Sequence, residues 1–453
     1  MPGSPLVSAL GCAIRIDTEN AGREAAAEIA RVWADAGCRL GDPLPLHHAT
    51  VRIPQLPTLE EQLSALSQAV TLAAIEARRG ELWMLHAAGI ADDQGRVVAL
   101  IGPSGKGKTT AARTLSTHFG YVSDETVGIS PDGTVAPYRK PLSVIEGSAR
   151  VKAQRSPHEL GLLALPEAPL RLAAIVLLDR RLDGPDVPVL EDCDLGDALP
   201  ELIAQTSYLG ELSAPLRTIA ALADSTGGVR RVIYREAATL PEALAPLFRD
   251  PEQVRTPAPL EQARPTHGST GFHRGSYLDA LALPEPDRIA LLQPEITGGA
   301  TFRLLAGIGP ALWRAACGVP IEVLASAAEE TYGTPEGVDV REAVLSAAGN
   351  LMDQAVLAQE PTYRIRGDAA RTGEFTHIVA LPLEPLAHPT PVALDGSAAE
   401  IWETIRISRG ITATRLVEET ATRAGLDASD VTNDVLAFLQ SLEDARLIER
   451  VAP

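Results

Sequence analysis

Residues 97–109 read VVALIGPSGKGKT and carry the clearest fold signal in the chain. The apolar run at 97–101 has the length and composition of a buried strand, and a helical stretch at 110–117 follows the glycine-rich part. Glycines let backbone N–H groups close around phosphate oxygens, and a helix N-terminus adds its positive end. The order of strand, G-x-x-x-x-G-K-T loop and helix therefore predicts a nucleotide-binding P-loop rather than a glycine-rich surface turn.

This loop suggests roles for particular side chains. Lys108 should reach the β- and γ-phosphates of ATP, and Thr109 should place its hydroxyl on Mg²⁺. ATP and Mg²⁺ are therefore the expected cofactors, and Lys108 is also a candidate catalytic residue because its charge would offset that of the transferring phosphoryl group. The predicted nucleotide-binding residues are Gly102, Ser104, Gly105, Lys106, Gly107, Lys108, Thr109 and Thr110.

Two acidic residues follow the loop. A short strand at 121–123 ends in Asp124 and Glu125. Asp124 could hold Mg²⁺ or take a proton from an attacking hydroxyl, which makes it a candidate catalytic residue. Together with Thr109, the two carboxylates form the predicted metal site. The alternative is that the pair lies in an exposed turn.

Two other side chains near apolar runs are open to two interpretations. Asp179 ends the run 175–178, which suits a Walker B strand and equally suits any core strand that ends at the surface. His86 ends a predicted strand just before the P-loop strand. A lone histidine is more often structural, but its place in the order makes His86 a candidate catalytic residue.

The composition limits the partners of the chain. Its 453 residues include 59 acidic and 40 basic side chains, which gives a net charge of −19. So acidic a chain is a poor general binder of nucleic acid or anionic membrane. Lysine is scarce, and two of the four lysines fall within the P-loop; the four are Lys106, Lys108, Lys140 and Lys152.

Nothing in the sequence suggests a membrane or secreted protein. The longest aliphatic run, residues 172–178, is far shorter than the about 20 residues of a transmembrane helix. The first residues show no signal-peptide pattern. The four cysteines are scattered, as expected for reduced thiols rather than a disulfide or zinc framework. We therefore expect a cytoplasmic protein with neither nucleic acid nor membrane as a partner.

The pattern along the chain predicts several domains. Residues 1–81 look like a mixed α/β segment, in which Thr58 and Glu61 form a capping box at the start of a helix. Residues 82–249 alternate apolar strand runs with helical stretches, which is typical of an α/β domain. Residues 250–271 are rich in Pro, Gly, Ser and Thr and are predicted to be a linker.

An internal repeat follows the linker. GIGPALW at 307–313 aligns with GSAAEIW at 396–402, and NLMDQAVL at 350–357 aligns with SLEDARLI at 441–448. The two matches keep the same helical order, which predicts two copies of one small fold at 272–360 and 361–453. Two unrelated helical segments are the alternative.

The segment from about residue 60 to residue 248 resembles the catalytic domain of HPr kinase/phosphorylase. The resemblance rests on LHAAG at 85–89, the P-loop and VSDE at 122–125, and is strongest to the HPr-kinase-related proteins of peptide-maturation gene clusters. It implies an α/β P-loop kinase fold akin to phosphoenolpyruvate carboxykinase, with Asp124 as the catalytic carboxylate and His86 as the active-site histidine. The family's second Asp is Glu125 here, and its glycine–arginine signature has no counterpart. HPr itself is therefore not the expected substrate.

Residues 391–450 resemble PqqD, on LDGSAAEIW at 394–402, LVEE at 416–419 and the segment 431–447. That family includes recognition elements for precursors of ribosomally made, post-translationally modified peptides (RiPPs). The resemblance implies a winged-helix-like fold, a small antiparallel sheet with three helices, and the segment 275–359 looks like a degenerate copy. The expected architecture is thus the P-loop kinase domain followed by two winged-helix-like PqqD-type domains.

A leader peptide could add as a strand to such a sheet. We expect the edge to come from residues 363–383, with 376–381 as its clearest strand, and the facing helix from 431–446. Trp402 is expected in the core. DNA is the alternative partner of a winged helix, but residues 363–453 hold 9 Arg and no Lys against 14 acidic residues, a net charge of −5 that disfavours phosphate binding.

Two functions remain open from the sequence. In one, the protein binds the leader of a ribosomal precursor peptide and uses MgATP to phosphorylate a peptide hydroxyl. In the other, it is a non-catalytic nucleotide-binding adaptor that presents the precursor to a separate RiPP-modifying enzyme. That enzyme is an expected partner in either case.

Overall fold

The computed structural model describes residues 4–38, 48–103, 107–144, 152–260, 272–295, 299–334, 337, 339–359, 361–374, 376–383 and 390–451. The chain forms two units, Met1–Pro257 and Ala258–Pro453. The boundary between them lies within the predicted linker 250–271, of which residues 261–271 lie outside the described residues.

The chain begins with a small three-stranded sheet and two helices. Their bounds are β1 (Leu6–Ala9), β2 (Cys12–Asp17), α1 (Arg23–Val32), β3 (His48–Arg52) and α2 (Leu59–Ala77). The predicted capping box is confirmed: the backbone N–H of Glu61 donates to Thr58 Oγ1 at 3.2 Å, and the N–H of Thr58 donates to Glu61 Oε2 at 3.1 Å. Two free N–H groups of the first turn are satisfied in this way, which fixes the start of α2.

The P-loop lies in a mixed α/β layer. The elements are β4 (Trp83–Leu85), β5 (Ala87–Ala91), β6 (Arg96–Ile101), α3 (Lys108–Leu115), β7 (Gly120–Ser123), β8 (Val127–Ile129), β9 (Val135–Ala136), β10 (Leu142–Val144), β11 (Ala153–Arg155), β12 (Arg171–Arg180), β13 (Val189–Cys193), α4 (Leu195–Ala204), β14 (Thr206–Ser207), α5 (Pro215–Ser225), β15 (Val229–Tyr234) and α6 (Leu240–Leu244).

The main sheet has the strand order β13-β15-β12-β6-β5-β7. The central strand β12 runs parallel to both β6 and β15, while β13, β5 and β7 pair antiparallel. Residues 97–101 of β6 are buried throughout, because the strand is covered on both faces. The helix after the loop begins at Lys108, two residues before the predicted start, so Lys108 and Thr109 belong to its first turn.

The C-terminal unit consists of a structural repeat. The first copy comprises β16 (Phe272–Arg274), β17 (Asp279–Leu283), β18 (Arg288–Pro294), β19 (Ala300–Leu305), α7 (Gly309–Ala315), β20 (Cys317–Val319), α8 (Ile321–Tyr332), α9 (Val340–Asp353) and β21 (Leu357–Ala358). The second comprises β22 (Thr362–Ile365), β23 (Ala369–Glu374), β24 (His377–Pro382), β25 (Val392–Asp395), α10 (Ser397–Ser408), β26 (Ile411–Thr412), α11 (Ala413–Ala424), α12 (Ala428–Asp444) and β27 (Ile448–Val451).

Both copies have the same element order and the same strand pairing. The sheets β20-β16-β21 and β26-β22-β27 correspond, as do β17-β18-β19 and β23-β24-β25. Trp313 and Trp402, which align in the sequence repeat, are each 1% exposed and lie in the core of their own copy. The prediction that Trp402 is a core residue is confirmed. Residues that align in the sequence repeat therefore occupy equivalent core positions in two copies of one small fold.

One prediction about the second copy is wrong in part. The segment 376–381 corresponds to β24, which lies in the middle of its sheet with β23 and β25 on either side. Among the described residues of this sheet, the edges are β23 and β25. The predicted facing helix is present as α12. No helix in the described part of the chain is long and apolar enough to cross a membrane.

Candidate functional site

A cavity of about 630 Å³ lies beside the P-loop in the N-terminal unit. Its lining includes every predicted catalytic and metal-binding residue, although they come from separate stretches of sequence. They are His86, Lys108, Thr109, Asp124 and Glu125, joined by Gly107 and Thr110 of the predicted nucleotide set. The predicted residues Ser104, Gly105 and Lys106 lie outside the described residues, and Gly102 precedes them at the end of β6.

The start of α3 has the geometry that a phosphate group needs. Gly107 has a φ of +89°, a conformation that only glycine adopts at low cost, and α3 starts directly after it with no side chain capping its N-terminus. The first backbone N–H groups of the helix are therefore available to an anion. A helix start of this kind suits a phosphate group.

Lys108 is a buried residue at the start of α3 and lines the cavity. Its side chain is 7% exposed, and its Nζ donates to the carbonyl oxygen of Gly102 at 2.6 Å. Burial lowers the pKa of Lys108, and the nearby carboxylates of Asp124 and Glu125 oppose this effect. A phosphate group would offer the same ammonium a charged acceptor in place of a neutral carbonyl.

Asp124 is held in place by two buried neighbours. The residue is 6% exposed, and Oδ1 of its carboxylate accepts a hydrogen bond from the hydroxyl of Tyr121 at 2.9 Å. The Nζ of Lys140 lies 3.5 Å from the same oxygen and 2.8 Å from Oε2 of Glu125. The predicted acidic pair is thus real, and it is bridged by a lysine that the sequence reasoning did not assign to the site.

The ionisation of these neighbours follows from their surroundings. Burial alone would lower the pKa of Lys140, but attraction to Asp124 and Glu125 outweighs it, and the pKa is raised. Burial and the charge of Asp124 raise the pKa of Tyr121 well above its usual value. At neutral pH, Lys140 is therefore a cation and Tyr121 a neutral donor.

His86 lies between β4 and β5 and lines the same cavity. Burial lowers the pKa of the imidazole, and the charge of Lys108 lowers it further, while Glu125 acts in the opposite direction. The ring is therefore neutral at pH 7 and can accept a proton. Its partly exposed position would allow contact with a ligand.

Asp179, the rival carboxylate, does not belong to this site. It ends β12 beside the P-loop strand, but it does not line the cavity, and its Oδ2 accepts hydrogen bonds from Nε and Nη2 of Arg181 at 2.9 and 2.6 Å. Of the two interpretations, the ordinary core strand that ends at the surface describes Asp179 better.

Sequence reasoning missed one wall of the cavity and two of its cations. Helix α2 supplies Ser64, Ser67 and Gln68, and the remaining wall includes Lys140, Ser143 and Lys152. The hydroxyl of Thr71 in α2 shares a 2.8 Å hydrogen bond with that of Tyr138, which ties the helix to the segment before Lys140. The signal that could have revealed these cations is the scarcity of lysine, because every described lysine lines this cavity.

The donor set fits Mg²⁺ only in part. Thr109 and Asp124 offer the hydroxyl and carboxylate oxygens that Mg²⁺ prefers, and both line the cavity. The Oε2 of Glu125, by contrast, is 2.8 Å from an ammonium group. Within the described part of the chain, no group of three or more His, Cys, Asp or Glu could hold a metal ion. A metal at Thr109 and Asp124 would therefore need nucleotide oxygens to complete its shell.

The comparisons with known proteins give one family match and a weak structural likeness. Residues 386–448 match the family described as Coenzyme PQQ synthesis protein D (PqqD), so the chain contains a PqqD domain at these residues. No curated protein matches the sequence. Solved structures that match include the Hpr(Ser) kinase/phosphatase from Coxiella burnetii, at 13% identity and a TM-score of 0.21, covering 36% of this chain and 92% of that one. The latter likeness is weak.

The PqqD match lies within the second copy of the repeat. It covers β25, the three helices α10 to α12 and the start of β27. The first copy has the same topology and lies outside the matched residues, so its kinship with PqqD and the winged-helix description of either copy remain predictions. Leu436 of α12 is 43% exposed, which places an apolar side chain at the surface of the predicted facing helix.

Proposed function

We propose that the protein binds the leader of a ribosomal precursor peptide through its PqqD domain and phosphorylates a hydroxyl group of that peptide with MgATP. One observation carries the enzymatic part: His86, Lys108, Thr109 and Asp124 line a single cavity beside a helix N-terminus. The PqqD domain at 386–448 supports the recognition part. We further propose that the protein works in the cytoplasm with a RiPP-modifying enzyme as its partner.

The phosphates of ATP would bind the N-terminal N–H groups of α3 and the ammonium group of Lys108. Lys108 would then exchange its 2.6 Å hydrogen bond to the Gly102 carbonyl for one to a phosphate oxygen. Mg²⁺, held by Thr109 and Asp124 together with the phosphates, would offset part of the phosphate charge. These contacts position the γ-phosphoryl group and stabilise charge as it develops.

The transfer step needs a group that takes the proton of the peptide hydroxyl. The hydroxyl oxygen attacks the γ-phosphorus, the bond from that phosphorus to the bridging oxygen breaks, and ADP leaves with the electron pair. Asp124 accepts the proton through a carboxylate that Tyr121 and Lys140 hold in one orientation. Neutral His86, in the same cavity, can relay that proton onward.

The leader would pair with an edge strand of the sheet β23-β24-β25 and pack side chains on α12. Backbone pairing gives affinity for any extended segment, while contacts with exposed side chains such as Leu436 give selectivity. Recognition through a separate domain would leave the P-loop cavity free to accept only the acceptor residue of the peptide.

A second function is favoured by one observation. Asp124 is 6% exposed and already engaged by Tyr121 and Lys140, an arrangement that a purely structural acidic pair would also have. In this version the protein is a nucleotide-binding adaptor, and a separate enzyme modifies the precursor that the PqqD domain presents.

Mass spectrometry of the peptide separates the two functions. The purified full chain is incubated with MgATP and a precursor whose leader demonstrably binds it. One added phosphate per peptide supports the kinase, and no phosphopeptide with full leader binding supports the adaptor.

The repeat offers a matched pair of variants for the recognition step. Leu436 on α12 and Leu345 on α9 align in the repeat, and each is 43% exposed. Leu436→Glu should weaken binding of a fluorescent leader by about tenfold or more, since it places a charge on an apolar contact. Leu345→Glu should leave leader affinity unchanged. Equal losses in both variants would mean that the leader does not select the PqqD domain.

A further inference from the structure

Lys140 occupies an unusual position for a lysine. Its side chain is 3% exposed, yet it forms part of the wall of the P-loop cavity. Its ammonium group donates to the carbonyl oxygen of Pro141 at 3.1 Å and lies 2.8 Å from Glu125 and 3.5 Å from Asp124. An ammonium group has three protons, and three acceptors surround this one.

The Lys140 ammonium group offsets one of the two carboxylate charges beside it. Two carboxylates face one ammonium group, and the Tyr121 hydroxyl gives Asp124 a further hydrogen bond. A second cation placed between the same two carboxylates would lie close to the ammonium group and be repelled by it. The pair is therefore already supplied with a cation from within the chain.

The residue type at 140 supports a role beyond ordinary ion pairing. All but four of the 40 basic residues are arginine, and Lys108, Lys140 and Lys152, the described lysines, all line this cavity. An ammonium group is a compact point charge, whereas guanidinium is planar and broad. A compact charge is the closest side-chain equivalent of a metal ion between two carboxylates.

We propose that the Lys140 ammonium group is the resident cation of the Asp124–Glu125 pair, so that Glu125 does not ligate Mg²⁺. The inference has a second part, that divalent metal enters the site together with nucleotide at Thr109 and Asp124. Only this second part rests on the proposed function. This two-residue metal site replaces the site of Thr109, Asp124 and Glu125 expected from the sequence. Lys140 is accordingly a positioning residue, which sets the charge and orientation of Asp124.

Mn²⁺ alone is the probe for this proposal, and its binding to the full chain is followed by electron paramagnetic resonance without nucleotide. Lys140→Met leaves two carboxylates without their cation, so it should bind Mn²⁺ at least about tenfold more tightly than the wild-type chain. Lys140→Arg keeps the charge and should not gain a site. The double variant Lys140→Met/Glu125→Gln should lose the Mn²⁺ site that Lys140→Met gains.

Lys152→Met is the matched control. Lys152 lines the same cavity but is exposed and has no carboxylate contact among the ion pairs of the described residues. Its removal should not change Mn²⁺ affinity. A gain of the same size in Lys152→Met would mean that only the general charge of the cavity matters, which contradicts the proposal.

Two other results would overturn the proposal. The first is Mn²⁺ binding to the wild-type chain that Glu125→Gln abolishes. The second is a folded Lys140→Met variant, with a cooperative thermal transition, that gains no Mn²⁺ affinity.

If Lys140→Met does not fold, Glu125→Gln decides through binding of Mn²⁺ with ADP: unchanged affinity supports the proposal, and a loss of about tenfold or more refutes it. Failure of the kinase proposal would appear instead as absent phosphopeptide and would leave the Mn²⁺ results standing.

Discussion

Asp124→Asn separates the chemistry of the proposed site from its architecture. The substitution keeps the shape of the side chain and an oxygen that can still accept the 2.9 Å hydrogen bond from Tyr121. Lys140 keeps its closer partner, Glu125, at 2.8 Å, and loses only the charge at 3.5 Å. We therefore expect a folded variant whose unfolding free energy falls by about 1–2 kcal/mol, less than the loss of a whole buried pair.

The expected effect on phosphoryl transfer is much larger. An amide cannot accept the proton of the attacking hydroxyl, and it is a poorer ligand for a divalent cation. Loss of a general base lowers the rate by about 10²- to 10⁴-fold, which corresponds to about 3–5 kcal/mol of activation free energy. Leader affinity should stay unchanged, because the PqqD domain lies in the other unit of the chain.

The assay is a time course of phosphopeptide formation by mass spectrometry, with leader binding measured on the same samples. Asp179→Asn is the matched control, because Asp179 is the next-to-last residue of the buried strand β12 but contacts Arg181 outside the cavity. It should transfer phosphate within about twofold of the wild-type rate, as expected for a surface substitution. The reasoning is refuted if Asp124→Asn stays within about threefold of wild type, or if Asp179→Asn loses as much.

Three further outcomes are expected. Lys108→Ala should weaken MgATP binding by about tenfold or more in calorimetry, because a charged phosphate contact is lost, whereas Arg113→Ala on the exposed face of the same helix should not. Burial lowers the pKa of His86 in the folded protein, so below about pH 6.5 the unfolded chain binds a proton at this residue more readily than the folded chain does. The unfolding free energy should therefore drop as pH falls from 7 to 5, and it should drop less in His86→Gln. Glu403→Gln should lower the unfolding free energy by about 2–3 kcal/mol, since its buried carboxylate bonds two arginines, while the exposed Glu400→Gln should stay within about 0.5 kcal/mol.

Each of these outcomes can fail in its own way. Equal nucleotide affinity in Lys108→Ala would remove the P-loop from the proposed function. An unchanged pH dependence in His86→Gln, measured by urea unfolding at both pH values, would mean that another group dominates acid destabilisation. Equal stability of the two glutamate variants by the same method would mean that the bonds of Glu403 to Arg371 and Arg406 contribute nothing measurable.

The sequence predicts the strand before the glycine-rich loop and the helix after it because their signals are local. A glycine with positive φ, the lysine after it and the helix that follows are neighbours along the chain, and each is needed for the same backbone cradle. The capping box at Thr58 is local in the same sense, with both of its hydrogen bonds closed within four residues. Features of this kind are fixed by spacing alone.

Strand neighbours are not fixed in that way. The apolar run in residues 376–381 correctly indicates a strand. However, β24 has β23 on one side and β25 on the other, and neither contact can be derived from the strand's own pattern. Within the predicted edge segment 363–383, the strand that ends the described sheet is therefore β23 rather than β24. Periodicity identifies which residues face the core and leaves open which strand ends the sheet.

The place of Lys140 in the site could not be predicted from a local pattern either. The composition of the chain nevertheless points to this residue. No motif contains this residue, and its contact with Glu125 depends on how the chain returns after β9. A chain with net charge −19 that uses arginine almost throughout has nevertheless kept lysine at positions around one cavity. Surface charge could be supplied by either residue, so the use of lysine at the two buried cavity positions 108 and 140 indicates a need for compact point charges there. The position of the rare residue type, rather than any spacing, carries the information about this part of the site.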